Sequence, residues 1–128
     1  MTGRRAHLNF GHTLGHALEA AGRYRRWTHG EAIAIGMCAA ADLGATLGRC
    51  PASVPERIRR LLAAAGLPTQ AHGVSRGAVL RAMRYDKKFI HGRPRWVLPR
   101  GIGSVVVTEQ VPASAVTRLV ARYVQPSG

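Results

Sequence analysis

The residues best suited to chemistry lie in the first quarter of the chain. His12 and His16 stand four residues apart in Asn9-Phe10-Gly11-His12-Thr13-Leu14-Gly15-His16, which puts both imidazoles on one face of a helix. His29 follows at the start of a second helical segment, beside Glu31. Imidazole is a good zinc ligand, and a catalytic zinc commonly takes three protein ligands and keeps one position open. Spacing nominates His12 and His16 as a metal pair, by analogy with i, i+4 sites. It leaves open whether His16 is a ligand or a general acid–base group. A single histidine at a helix end more often caps or hydrogen-bonds, but three of them around Gly11 and Gly15 favour a site. Each glycine inside a helix costs roughly 1 kcal/mol against alanine, so that surface serves a close approach, of a packed helix or of a ligand. His7, His72 and His91 lack such a setting and read as surface or loop residues.

These histidines need helices to hold them. The first helix is expected from Asn9, a capping residue, to Ala21, with Leu14, Ala17 and Leu18 at helical spacing and Gly22 as the stop. A basic loop, Arg23 to Trp27, leads to the capping-box pattern Thr28-x-x-Glu31. The helix that follows, to about Leu47, is apolar almost all round and should be buried at the centre. Ser53-x-x-Glu56 is a second capping-box pattern, opening a helix from Pro55 to Ala65, and Ser75 caps a shorter one to about Arg84. Arg95 to Leu98 and Ser104 to Val107 read as a hairpin, and Pro112 to Val124 returns to helix. The expected fold is mainly α: a helical domain with one small β-hairpin, spanning 1–124, and a tail over 125–128.

Composition narrows the class. The chain has 128 residues, 46% of them hydrophobic and 5% aromatic, so one core built mostly from Ala, Leu, Val and Ile is expected. The quiet stretch from Ala32 to Ala41 is too short to span a bilayer, and no apolar run follows Arg4-Arg5, so neither membrane nor secretion is expected. Two cysteines, Cys38 and Cys50, suit a reduced cytoplasmic protein. The formal net charge of +13 calls for an anionic partner, either a polyanion such as nucleic acid or a phosphorylated, carboxylated small molecule. The basic residues are dispersed and the aromatics sparse, which gives a thin signal for single-strand binding. Arg57, Arg59, Arg60, Arg76 and Arg81 read as a solvated surface.

The stretch Arg5 to Glu19 resembles the signature of the 3-dehydroquinate synthase family. Trp27-Thr28-His29-Gly30-Glu31-Ala32-Ile33-Ala34-Ile35-Gly36-Met37 resembles that family's next block. Asp86-Lys87-Lys88, Arg95-Trp96-Val97-Leu98-Pro99 and Gly101-Ile102-Gly103 follow in the family's order. The resemblance covers nearly the whole chain and implies the family's C-terminal helical domain. It implies the shikimate-pathway conversion of a seven-carbon keto-sugar acid phosphate (DAHP) to 3-dehydroquinate, with bound NAD and zinc. It implies His12 and His29 as zinc ligands, His16 as the acid–base group, and Arg5, Asn9 and Lys88 (less directly Lys87) as substrate-binding residues. It places the NAD-binding domain and a third, glutamate ligand in an N-terminal half outside this sequence, so activity is expected to need an N-terminal partner. A related cyclase of the aminodehydroquinate or inosose type is the alternative, and a non-enzymatic basic remnant binding polyanions is the third. An apolar patch near His12 and His29, covered by that half or by self-association, is a further expectation.

Overall fold

The computed structural model describes residues 11–84, 89–90, 93–94, 96–101, 104–108 and 111–126. Five helices fall within them: α1 (His12–Ala21), α2 (His29–Thr46), α3 (Ser53–Ala64), α4 (Arg76–Arg84) and α5 (Ala113–Tyr123). The strands are β1 (Ala71–His72), β2 (Phe89–Ile90), β3 (Arg93–Pro94), β4 (Trp96–Gly101), β5 (Ser104–Thr108) and β6 (Val124–Gln125). The chain is mainly helical, with one hairpin as its largest extended feature.

Thr28 opens α2 as its sequence predicts. The Thr28 hydroxyl accepts from Glu31 N–H at 3.1 Å, and the Glu31 carboxylate accepts from Thr28 N–H at 2.9 Å. Two otherwise orphaned amides at the helix start are thereby satisfied. Downstream, α2 buries Ala32, Ile35, Ala39 and Leu43, and α1, α3, β4 and α5 pack around it. It is the central helix that its unbroken apolar character implies. Leu14 and Leu18 of α1, Val79 and Met83 of α4, Trp96 and Leu98 of β4, and Leu119 and Val120 of α5 complete the main core. Each fully buried Leu or Ile contributes roughly 1.5–3 kcal/mol, which anchors α1 and α2 against one another. Ala41, Val54 and Ile58 form a smaller cluster under α3.

The second capping box does not form. Ala52, before α3, is already in the right-handed helical region, so Ser53 lies inside the helix and cannot cap it. Glu56 turns instead to Arg59 at 2.7 Å and Arg60 at 3.3 Å. Ser75 does cap α4, its hydroxyl accepting from Ala78 N–H at 3.0 Å.

β4 and β5 pair antiparallel, Trp96 opposite Thr108 and Leu98 opposite Val106. The first strand runs on through Pro99, further than its sequence suggests. A two-stranded ribbon has a free edge, so proline need not interrupt a ladder there. β6 pairs in parallel with β1, so Gln125 lies beside His72 rather than in a loose tail. Arg76 locks this pairing, donating to the carbonyls of Val124 (2.8 Å) and Ala121 (2.9 Å) and to the Gln125 side chain (3.2 Å). Arg76 is therefore structural, not part of a solvated face. Arg59 is too: it donates to the Tyr123 hydroxyl at 3.3 Å. Arg57, Arg60 and Arg81 are exposed, as expected.

Candidate metal and catalytic site

The site begins with the missing side chains of three glycines. A Cβ on Gly36 of α2 would run into the Gly11 carbonyl oxygen and approach Gly15 N to 2.9 Å. One on Gly11 would meet the Met37 side chain at 2.6 Å, and one on Gly15 would meet Ile33 at 2.7 Å. The close approach implied by Gly11 and Gly15 is thus a packed helix, with α1 and α2 touching backbone to backbone. Gly11 also needs its freedom of φ, since it starts α1 at φ +83°.

That contact sets the distance between the histidines the two helices carry. The ring centroids of His12 and His16 are 4.9 Å apart, those of His12 and His29 5.6 Å, and those of His16 and His29 6.1 Å. Three imidazoles from two helices therefore meet at one place. His12 and His16 are half-buried, whereas the His29 side chain is 60% exposed. His29 Nδ1 lies 3.0 Å from a carboxylate oxygen of Glu19 on α1. A carboxylate only accepts, so Nδ1 carries the hydrogen, and in the neutral ring Nε2 keeps its lone pair. Metal-binding histidines characteristically present one nitrogen to the ion and the other to a carboxylate or carbonyl, and His29 has that disposition.

Glu31 is held by the capping box. Among the described residues no group of three His, Cys, Asp or Glu side chains is disposed to hold an ion unaided. Neutral imidazoles suit zinc or cobalt, so these residues fit a metal site that takes a further ligand from outside the described residues. Arg5, Asn9, Lys87 and Lys88, the substrate-binding residues that the resemblance implies, also lie outside the described residues.

Glu19 carries no role in the sequence reading above. The signal for it is helical: it stands seven residues after His12 and three after His16, on the same face of α1. The basic loop that follows holds a second surprise. Gly22 ends α1 with φ −85°, while Arg23 and Tyr24 take the left-handed region at φ +56° and +57°. Gly22 is needed for space, since a Cβ there would meet Arg26 at 2.8 Å and Trp27 at 3.1 Å. Arg26 donates to the His72 carbonyl at 2.8 Å, while Arg23 and Arg25 are exposed. The exposed large apolar side chains among the described residues are Tyr24 and Leu61, in this loop and on α3.

The family described as 3-dehydroquinate synthase C-terminal matches residues 2–89. The 3-dehydroquinate synthase of Acidithiobacillus ferrooxidans is 48% identical over 123 residues, covering 96% of this chain and 34% of that protein. The enzyme of a Synechococcus strain is 40% identical over 126 residues, covering 98% of this chain and 34% of its own length. The chain spans about a third of the length of the curated relatives it matches. In fold it is similar to 2-deoxy-scyllo-inosose synthase, solved with carbaglucose-6-phosphate, NAD+ and Co2+ (TM-score 0.73, 24% identity, 90% of this chain and 34% of that one). It is also similar to 2-epi-5-epi-valiolone synthase from Streptomyces hygroscopicus, solved with NAD+ and Zn2+ (TM-score 0.72, 25% identity, 89% of this chain and 32% of that one). The sequence blocks around the three histidines and the helical frame that gathers them thus have one origin: the chain belongs to the 3-dehydroquinate synthase C-terminal family.

Proposed function

We propose that this chain is the helical part of a 3-dehydroquinate synthase active site, which eliminates phosphate from DAHP and closes the carbocycle. The observation that carries this is the meeting of His12, His16 and His29 from two helices, with one ring nitrogen of His29 already committed to a carboxylate. His12 and His29 hold the zinc ion, together with a ligand from outside these 128 residues. Zinc supplies Lewis-acid polarisation of the reacting hydroxyl and carbonyl. NAD would be held by a segment outside this chain, where it would supply hydride-transfer chemistry.

The chain's own residues do the rest. His16 stands beside His12 and is the group that takes up and returns a proton at an imidazole nitrogen as phosphate leaves. A ring that has to change protonation state is a poor permanent ligand, which separates its role from that of its neighbours. Arg5, Asn9 and Lys88 bind the substrate's polar groups; fixed cations suit a substrate with two anionic ends. Related cyclases share the fold, but the relatives at 40–48% identity are 3-dehydroquinate synthases, which favours DAHP as substrate.

The test uses the protein in which this chain is joined or combined with its NAD-binding part. Zinc content, zinc affinity and phosphate release from DAHP are measured for wild type, His12→Ala, His29→Ala and His16→Ala. The first two variants should lose zinc and activity together. His16→Ala should keep zinc while kcat falls by about 10²–10⁴-fold. Zinc retained at wild-type affinity in His12→Ala and His29→Ala would overturn the ligand assignment, and zinc lost in His16→Ala would overturn its role as a proton carrier.

A further inference from the structure

We infer that Glu19 is a positioning residue for His29, holding the imidazole in the tautomer that leaves Nε2 free for a ligand. For its consequence on metal binding, this inference rests on the reading of His29 as a metal ligand. The contact is direct: His29 Nδ1 and Glu19 Oε1 are 3.0 Å apart. Glu19 is anchored on α1, on the helix face that carries His12 and His16, and its side chain is only 13% exposed. His29 heads α2 with a side chain 60% exposed, so little packing restrains its ring. An unrestrained neutral imidazole divides between its two tautomers and turns about its side-chain bonds. A carboxylate fixed on the neighbouring helix removes both freedoms, because it accepts a hydrogen only from Nδ1–H.

A purely architectural ion pair is the competing account. The two helices already meet through Gly11, Gly15 and Gly36 and through the buried Leu14, Leu18 and Ile35, and a pair with one partner this exposed adds little to that. Glu31, the other carboxylate near His29 in sequence, is occupied by the capping box. Glu19 thus orders the ring rather than the fold.

The decisive measurement is the His29 tautomer in the 15N-labelled, metal-free chain near pH 8, above the usual imidazole range. Two-bond nitrogen–proton correlations read it, with His29→Gln to assign the signals. Wild type should show the Nδ1–H form, and Glu19→Ala a mixture. Glu19→Gln, whose amide oxygen also accepts, should restore the wild-type pattern. Zinc competition on the same chains should show a 10–100-fold loss of affinity in Glu19→Ala and near-wild-type binding in Glu19→Gln. An identical His29 tautomer in wild type and Glu19→Ala would overturn the inference. If the tautomer switches as expected while His29→Gln leaves zinc affinity unchanged, the positioning of the ring by Glu19 stands and the ligand reading of His29 falls.

Discussion

Cys38 and Tyr123 are buried acids that do not take part in the histidine cluster, and they govern how the protein meets alkali. Burial pushes the Cys38 thiol from 9.0 to about 11, against a lowering pull from Arg59 and with a smaller push from Asp42. Burial likewise pushes the Tyr123 hydroxyl from 10.0 to about 12, opposed by the Arg59 hydrogen bond and assisted by Asp42. Tyr123 donates to Asp42 at 2.9 Å, and Arg122 donates to the same oxygen at 2.7 Å. In the unfolded chain both acids ionise at their ordinary values. Stability present below pH 9 is therefore lost as pH rises, through Cys38 from about 9 to 11 and through Tyr123 from about 10 to 12. The slope approaches about 1.4 kcal/mol per pH unit for each group. Urea unfolding should show Tyr123→Phe less stable than wild type by about 1–2 kcal/mol at neutral pH, with a shallower decline above pH 10. Parallel declines in the two proteins would count against this account. At this scale the sequence is legible for side chains with a repeated local pattern. His12 and His16 show their shared helix face, whereas Arg59 and Arg76 look like other surface arginines because their partners, Tyr123 and Val124, lie 64 and 48 residues away.

Between elements, the α1–α2 contact is the feature the candidate site depends on. Gly36 has no room for a methyl group because the Gly11 carbonyl occupies that space, whereas a Cβ on Gly30 in the first turn of α2 would meet nothing within 4 Å. The two substitutions should therefore have opposite signs. Gly36→Ala should destabilise the chain by about 1–3 kcal/mol through overpacking, and Gly30→Ala should stabilise it by about 0.4–1 kcal/mol through the unfolded state. Denaturant midpoints measure both, and equal shifts would refute the glycine contact. The helices themselves are largely legible in the sequence, with their capping patterns less so. Thr28-x-x-Glu31 forms a box and Ser53-x-x-Glu56 does not, because Glu56 has two arginines one turn ahead and Ala52 has already entered the helix. Gly22 correctly marks the end of α1. Arg23 and Tyr24, not Gly22, take the left-handed conformation, which the local sequence does not signal, since neither is a residue that favours it.

For the whole molecule, the net charge of +13 is the dominant fact that packing does not explain. That figure is already net of the six acidic residues, so no acidic side chain of the sequence remains to compensate it. Self-repulsion of that excess opposes folding and is screened by salt. Raising sodium chloride from about 20 to 500 mM should recover about 1 kcal/mol, or roughly 3–6 °C in melting temperature, and a flat or falling curve would show that repulsion is unimportant. No helix among the described residues is long and apolar enough to cross a membrane, in keeping with the short apolar run seen in the sequence. The pairing of β6 with β1 carries a consequence for biosynthesis. Tyr123 and Val124 are buried in the same core as Leu14, so residues more than a hundred positions apart must meet before that core is closed. Chains emerge from the ribosome N-terminus first, at about 5–20 residues per second, so the histidine-bearing helices appear before α5 and β6. They lack these packing partners until α5 and β6 have been made, so this core closes only after α5 has left the ribosome, and nascent chains stalled before Leu119 should expose α2 to chaperones.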